Sequence, residues 1–242
     1  MTGRDITLSV VSHRQNRLLN QLLEDIGRFC ANRATVLVTL NTDDPEPLLA
    51  SRMPGAVEVI SNVRPKGFGA NHNAAFARCR TPFFCVANPD IRLQESPFDP
   101  LIESLSDSGV GVAAPLVRNR SGGIEDSARR FPTVSSLLGK VWGGVRGPDY
   151  ATDHGPIAVD WIAGMFMLFR ADAYRAVGGF DEDYFLYYED VDLCRRLTRS
   201  GMKVVYNPTA EVVHDARRAS HRDIRLARHH LASIVRFLTR GG

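Results

Sequence analysis

The stretch that decides the fold is Ile6–Ile26, ITLSVVSHRQNRLLNQLLEDI. Its first seven residues are a short apolar run rich in β-branched side chains, which predicts a buried strand over Ile6–Ser12. A polar turn at His13–Gln15 follows. Leu18, Leu19, Leu22, Leu23 and Ile26 then recur at helical spacing. The same alternation continues downstream. Thr35–Leu40 (TVLVTL) predicts a second buried strand, ending at Asn41 and a turn-rich TDDPEP. Val57–Ile60 reads as a third strand, Asn62–Gly69 as a glycine-containing loop and Ala70–Cys79 as a helix. Phe83–Ala87 is a fourth strand that stops at Asn88-Pro89-Asp90. Strands alternating with helices make βα units, so the expected class is α/β with a mainly parallel sheet flanked by helices.

Polar residues collect where these strands end: Ser12 to Arg14, Asn41, Asn62, and Asn88 with Asp90. Open α/β sheets bind ligands at that edge, which marks residues 1–92 as a nucleotide-binding half. Between Gly109 and Gly155 there are many Gly, Pro and Arg residues and little periodicity, so loops are expected there. Regular structure is expected again at Val159–Phe169, as a short helix at Asp172–Val177 and as a longer one at Tyr188–Ser200. Lys203–Tyr206 and Ala210–Val213 predict two short strands, and Ser220–Arg240 a terminal helix.

Composition narrows the class. The chain has 242 residues, 44% hydrophobic and 24% charged, a globular balance that excludes disordered and collagen-like classes. Cys30, Cys79, Cys85 and Cys194 form no CxxC pair, which predicts reduced thiols in a cytoplasmic setting. The opening MTGRDITLSVVSH lacks signal-peptide anatomy. The longest apolar run, Trp161–Phe169, is bracketed by Asp160 and Arg170 and is far short of the roughly 20 residues that span a bilayer. A net charge of +3 is too mild to imply nucleic acid. The tail after Arg217 is crowded with Arg and His around a single acidic residue, Asp223. There Ile224, Leu231, Val235 and Leu238 make one apolar stripe, suited to packing on the domain or to resting on anionic lipid at the inner membrane face.

Several constellations carry chemistry. Gly67-Phe68-Gly69 lacks the third glycine of a dinucleotide fingerprint, since His72 stands there. Asn88-Pro89-Asp90 projects a carboxylate from the end of an apolar strand, which suits Mg²⁺ or Mn²⁺ shared with a diphosphate and equally suits a plain turn. In Tyr187–Cys194, YYEDVDLC, helical spacing places Asp190 on the face of Leu193, Cys194 and Leu197. Asp192 meets Arg195, Arg196 and Arg199 in the pattern of an exposed ion pair. A carboxylate facing inward is costly unless used or paired, so Asp190 is the candidate general base. His214 closes the apolar strand EVVHD and can offer an imidazole to the same ion as Asp90. Arg130 is a candidate diphosphate clamp, and Trp161 a candidate platform for a sugar face.

Taken together, VVSHRQ, KGFGANHN, NPD, WIAGMFMLFR, GGFDEDYFLYYEDVDLCRRL and VVHD resemble the family 2 glycosyltransferases, particularly the bacterial rhamnosyltransferase-like branch. The resemblance runs from Ile6 to about His214. It implies a GT-A fold over residues 1–216, with an acceptor-binding half over 93–216, and leaves 217–242 as the basic C-terminal helix read from charge and spacing. It also implies inverting transfer of a sugar, rhamnose being the candidate, from a dTDP- or UDP-linked donor to a saccharide or lipid-linked saccharide. By motif, Ser12, Arg14, Asn41, Asn62, Gly69, Asn71 and Asn88 fall to the donor. Asp90 and His214 fall to the metal, and Asp190 with Glu189 to catalysis. Two positions depart from the family pattern: Asn88 replaces the first carboxylate of the DxD motif, and LNTDDPE replaces the usual Asp-Asn-x-Ser after the second strand. The competing readings are a non-catalytic nucleotide-sugar-binding accessory protein and a sugar nucleotidyltransferase. The latter wants a glycine-rich phosphate loop after the first strand, where SHRQNR has none. The oligomeric state is left open, a homodimer included.

Overall fold

In the computed structural model, residues 3–50, 57–133, 149–150, 155–215 and 224–239 are described. The strands are β1 (Ile6–Ser12), β2 (Ala34–Leu40), β3 (Val57–Ser61), β4 (Phe83–Ala87), β5 (Ile91–Arg92), β6 (Val110–Asn119), β7 (Ala128–Arg129), β8 (Ile157–Val159), β9 (Trp161–Ile162), β10 (Phe166–Arg170) and β11 (Lys203–His214). The helices are α1 (Asn16–Phe29), α2 (Phe68–Phe76), α3 (Phe98–Ser104), α4 (Ala171–Ala176), α5 (Glu189–Arg199) and α6 (Ile224–Thr239).

One sheet runs β3-β2-β1-β4-β10-β6-β11-β5, with β8 added against β11. Its β3-β2-β1-β4 half is parallel throughout, β10 enters antiparallel between β4 and β6, and β11 runs parallel to β6. The strand-then-helix reading of the first half therefore holds, because each return through a helix forces the next strand to run the same way. Side chains alternate across the sheet and feed two cores. On one face Leu19, Leu22, Leu23 and Ile26 of α1 and Phe98 and Leu101 of α3 pack on Val10, Val36, Cys85 and Leu168. On the other, Ala75 of α2, Tyr174 of α4 and Leu193, Cys194 and Leu197 of α5 pack on Leu37, Phe84, Val86 and Phe169. All four cysteines are buried and unpaired.

Three local expectations are corrected. Val110–Asn119, expected as loop, is a ten-residue strand in the middle of the sheet, buried from Val110 to Val117. A strand covered on both faces shows no alternation, and its glycine, alanines and proline hide its β character. Pro115 is tolerated because it lies opposite Asn207, where the β6–β11 ladder breaks register before Glu211. That same bulge merges the two expected short strands into one bent strand, β11. Finally, Val235 and Leu238 of the expected packing stripe on α6 are exposed, and Ser233 and Phe237 are buried instead. The side chains of Ile224 and Leu231 lie outside the description.

Candidate active site

The parallel strands end in register, Ser12 beside Leu40 and Leu40 beside Ser61, so the residues after them gather on one edge. Asn41 Oδ1 accepts from Asn62 Nδ2 at 2.9 Å and from the Lys66 backbone N–H at 2.8 Å. Asn62 Nδ2 also donates to Asn71 Oδ1 at 2.6 Å, and Asn71 Nδ2 donates to the Lys66 and Gly67 carbonyls at 3.2 and 3.0 Å. These three asparagines bond mainly to one another and to the loop backbone. They hold the 62–71 loop against the strand ends. Ser12 is similarly engaged, its hydroxyl donating to Asn16 Oδ1 at 2.6 Å. Arg14 follows with a left-handed backbone (φ 59°) and lines an open depression with Asp43, Asp44 and Pro45.

The glycines of this loop serve close packing. A Cβ on Gly67 would lie 2.8 Å from the Phe185 carbonyl oxygen, and one on Gly69 2.6 Å from Phe180 Cβ. Asn73 closes the same seam, donating to the Phe180 carbonyl and accepting from the Phe180 N–H and the Tyr174 hydroxyl. The start of α2 is thus clamped to the segment that leads into α5.

β4 ends at Asn88-Pro89-Asp90, and β11 ends beside it, because β5 pairs antiparallel with β11 and sets His214 opposite Ile91. Asp215 N–H donates to the Asp90 carbonyl at 2.8 Å. His214 Nε2 stands 3.3 Å from Asp90 Oδ2, and its Nδ1 2.8 Å from Glu125 Oε2. Burial disfavours the imidazolium, but hydrogen bonds and charge from Asp90 and Glu125 outweigh it and push the ring up to about 9. Asp90 Oδ1 is buried with no hydrogen-bond partner among the described residues. Asp90 Oδ1 could take a divalent cation, and His214 could join it once its ring gives up the proton that Asp90 and Glu125 stabilise. The residues fit such an ion. Among the described residues no group of three His, Cys, Asp or Glu forms a cage by itself. The remaining ligands would therefore come from substrate and water. Glu125 was not legible in the sequence, since it lies 89 positions from His214 in an irregular segment.

Asp190 sits in the first turn of α5. Its Oδ2 accepts the Gly164 N–H at 2.9 Å and its Oδ1 the Val191 N–H at 2.8 Å. Burial raises its pKa, against the pull of those hydrogen bonds and of Arg129. Glu189 is buried beside it, with Oε2 unpartnered among the described residues, and burial together with the Asp190 charge pushes it up to about 8. Asn88 N–H donates to the Met165 carbonyl at 2.9 Å, so the Gly164–Met165 pair bridges the Asp90 turn and Asp190. Before α5 the chain takes an unusual path: Tyr187 and Tyr188 both have positive φ, 71° and 69°. Each such non-glycine residue costs roughly 1–2 kcal/mol. Asp192 departs from expectation. It is 5% exposed rather than solvated, paired with Arg195 at 3.2 Å and Arg196 at 2.7 Å, because the segments around α5 cover that face.

Trp161 and Arg130 meet at the rim, where Trp161 Nε1 donates to the Arg130 carbonyl at 2.9 Å. The Arg130 guanidinium lies 5.9 Å from the Tyr150 ring centre, while Arg129, opposite Trp161 in the β7–β9 pair, covers the Trp161 ring at 5.5 Å. Arg129, whose charge reaches Asp190, is the rim cation nearer the base, where the sequence reading singles out Arg130 of the same doublet. Nothing in the doublet Arg129-Arg130 tells which arginine the strand pairing turns toward α5.

Comparison with known proteins identifies the family and the fold. Over 164 residues the chain is 35% identical to the N-acetylglucosaminyl-diphospho-decaprenol L-rhamnosyltransferase of Mycobacterium tuberculosis, covering 62% of this chain and 53% of that protein. It therefore spans about half the length of that relative. It is 27% identical to the rhamnosyltransferase WbbL of Escherichia coli, covering 97% and 93% of the two chains. Among solved structures, the Pyrobaculum calidifontis mannosyltransferase PcManGT, in complex with GDP-Man and Mn²⁺, superposes with a TM-score of 0.67 at 14% identity, over 97% of this chain and 65% of that one. GalNAc-T7 with UDP, GalNAc and Mn²⁺ gives 0.65 at 14%, over 88% and 44%. These neighbours share the GT-A fold. No described helix is long and apolar enough to cross a membrane. The sequence profile of the glycosyltransferase-like family 2 matches residues 4–230, and the chain belongs to that family.

Proposed function

We propose that the protein is an inverting glycosyltransferase that moves a sugar, with L-rhamnose the first candidate, from a dTDP- or UDP-linked donor to a hydroxyl of a saccharide or lipid-linked saccharide. The observation that carries this reading is the Asp190 carboxylate, half-buried, raised in pKa by desolvation and aimed by the Gly164 N–H. A carboxylate desolvated in this way is a stronger base than one in water, which suits it to take a hydroxyl proton. The rhamnosyltransferase relatives support the choice of sugar.

In the reaction, Asp190 takes the acceptor O–H proton as that oxygen bonds to the anomeric carbon. The bond from that carbon to the diphosphate oxygen breaks on the opposite face, and the nucleoside diphosphate departs with the electron pair. Asp90 and His214 would hold Mg²⁺ or Mn²⁺, which supplies Lewis-acid neutralisation of the leaving diphosphate. Glu125 keeps the His214 ring oriented through Nδ1. Burial and the Asp190 charge raise the Glu189 carboxyl and bias it toward its neutral form, which limits the negative charge beside the base. The asparagine-fastened 62–71 loop, Arg14 and Asn88 frame the donor, and Arg130 with Trp161 borders the acceptor.

The test is turnover of dTDP-L-rhamnose and UDP-hexoses with N-acetylglucosaminyl-diphospho-polyprenol and free saccharide acceptors. Release of nucleoside diphosphate with an inverted anomeric product supports the proposal. Tight donor binding with no turnover across the panel overturns it in favour of a non-catalytic nucleotide-sugar-binding protein.

A further inference from the structure

The turn before α5 carries two left-handed tyrosines in succession, and backbone of this kind persists only where its surroundings over-determine it. Those surroundings come largely from the far end of the chain. His230 of α6 lies edge-on to both rings, with centroids 5.2 Å from Tyr187 and 5.7 Å from Tyr188. Phe237 lies 5.5 Å from Tyr188. Ser233 Oγ donates to the Leu186 carbonyl at 3.0 Å, fixing the residue just before the turn. Arg195 of α5 completes the attachment. Its guanidinium covers the Phe237 ring at 4.0 Å, donates to the Phe237 carbonyl at 3.1 Å and pairs with the buried Asp192. Among the described side chains of α6, Ser233 and Phe237 are the buried ones, and Arg236 adds an ion pair to Asp183, so the helix meets the domain at this contact.

We infer that α6 is a positioning element for the site. Ser233 and Phe237 hold Leu186–Tyr188 in the left-handed turn that starts α5 where Asp190 reaches the Gly164 N–H. The inference deepens the proposed function, since it rests on Asp190 being the base. The physical reason is direct. Relaxing either tyrosine to negative φ would swing the start of α5, and the 2.9 Å bond from Gly164 to Asp190 is the first contact to open. A base displaced by about an ångström loses rate, whereas the 62–71 donor loop keeps the asparagine bonds that fasten it to the ends of β2 and β3.

The experiment uses the full chain with Phe237→Ala, Ser233→Ala and Phe237→Leu, the last keeping an apolar plug. Two readouts are taken: hydrogen exchange of the peptide carrying the Gly164 amide, and kcat against the donor KM. Expected for Phe237→Ala are faster exchange at Gly164, a roughly tenfold to hundredfold loss in kcat and an unchanged donor KM, with partial recovery in Phe237→Leu. A second variant relieves the strain at one position. Tyr187→Gly removes the penalty of positive φ together with the ring contact to His230, but it touches no contact of Phe237, so Phe237→Ala should cost less kcat in that background. Unchanged exchange at Gly164 in a folded Phe237→Ala protein overturns the inference, as does a parallel loss of donor affinity. Asp190→Asn, assayed alongside, separates the two readings. If it stays fully active the base assignment fails, while altered Gly164 exchange in Phe237→Ala still reports the clamp.

Discussion

The Gly164 backbone N–H donates to Asp190 Oδ2 at 2.9 Å, and through this bond the start of α5 is fixed against the loop between β9 and β10. One residue further, the Met165 carbonyl accepts the Asn88 N–H. A two-residue strap thus joins the turn that carries Asp90 to the helix that carries Asp190. In the proposed reaction these carboxylates act on the leaving group and the nucleophile of one displacement, so their relative placement is held by backbone rather than by long side chains.

Asp190→Asn keeps the shape and removes the base. The expected result is a loss of roughly 10²–10⁴ in kcat, the range that general base catalysis supplies, with nucleoside diphosphate affinity retained. In the wild type the rate rises with pH as Asp190 ionises, with its acid limb above the 3.8 of an ordinary aspartate because burial raises the group. A pH–rate profile checks both statements. Wild-type activity in Asp190→Asn removes the assignment.

Asp90→Ala removes the carboxylate with the unpartnered oxygen, and Glu125→Ala removes the support of His214. Thermal stabilisation by UDP or dTDP should gain a Mn²⁺-dependent part in the wild type that chelation abolishes. That part is expected to vanish in Asp90→Ala, and to need roughly 10- to 100-fold more Mn²⁺ in Glu125→Ala. Equal Mn²⁺ dependence in all three proteins overturns the donor set.

Gly69→Ala places a Cβ 2.6 Å from Phe180 Cβ, in a seam already closed by Asn73. The expected cost is about 1–3 kcal/mol of stability, as for other overpacked interiors. Urea unfolding measures it, and a variant as stable as the wild type shows that α2 can move away from the 180–185 segment.

His72 is fully buried, its Nδ1 2.8 Å from Ser9 Oγ and its Nε2 without a partner among the described residues. Burial pushes its imidazole down from 6.5 to about 3. Below pH 6.5 the unfolded chain takes up a proton that the folded chain refuses. This contribution is therefore complete above pH 6.5 and declines as pH falls toward 3, with about 2 kcal/mol gone at pH 5. Stability curves for the wild type and His72→Leu should converge as the pH is lowered through this window. Parallel curves sink the assignment.

Helical spacing found α1, whose leucines are all buried, and unbroken β-branched and aromatic runs found β1, β2 and β4, which are covered on both faces. The reading failed at Val110–Asn119, equally covered but with Gly, Ala and Pro interrupting the run, and at α6, whose Val235 and Leu238 are exposed while Ser233 and Phe237 are buried. Spacing put Asp190 on the face of Leu193, Cys194 and Leu197, where it is half-buried and meets the Gly164 N–H. The deeper burial of Asp192 was not legible, because the segments that cover it are distant in sequence.

The sequence by itself determined the α/β class and the strand edge on which polar residues gather, since local pattern encodes these, and motif offered Asp90 and His214 as candidate metal ligands. Only the tertiary structure decided which arginine approaches Asp190, that Glu125 meets His214, that the loop asparagines bond to one another, and that the last helix braces two left-handed tyrosines. These are contacts between residues far apart in the chain. They depend on strand register and helix docking, which emerge only when the whole sheet and its two cores are assembled.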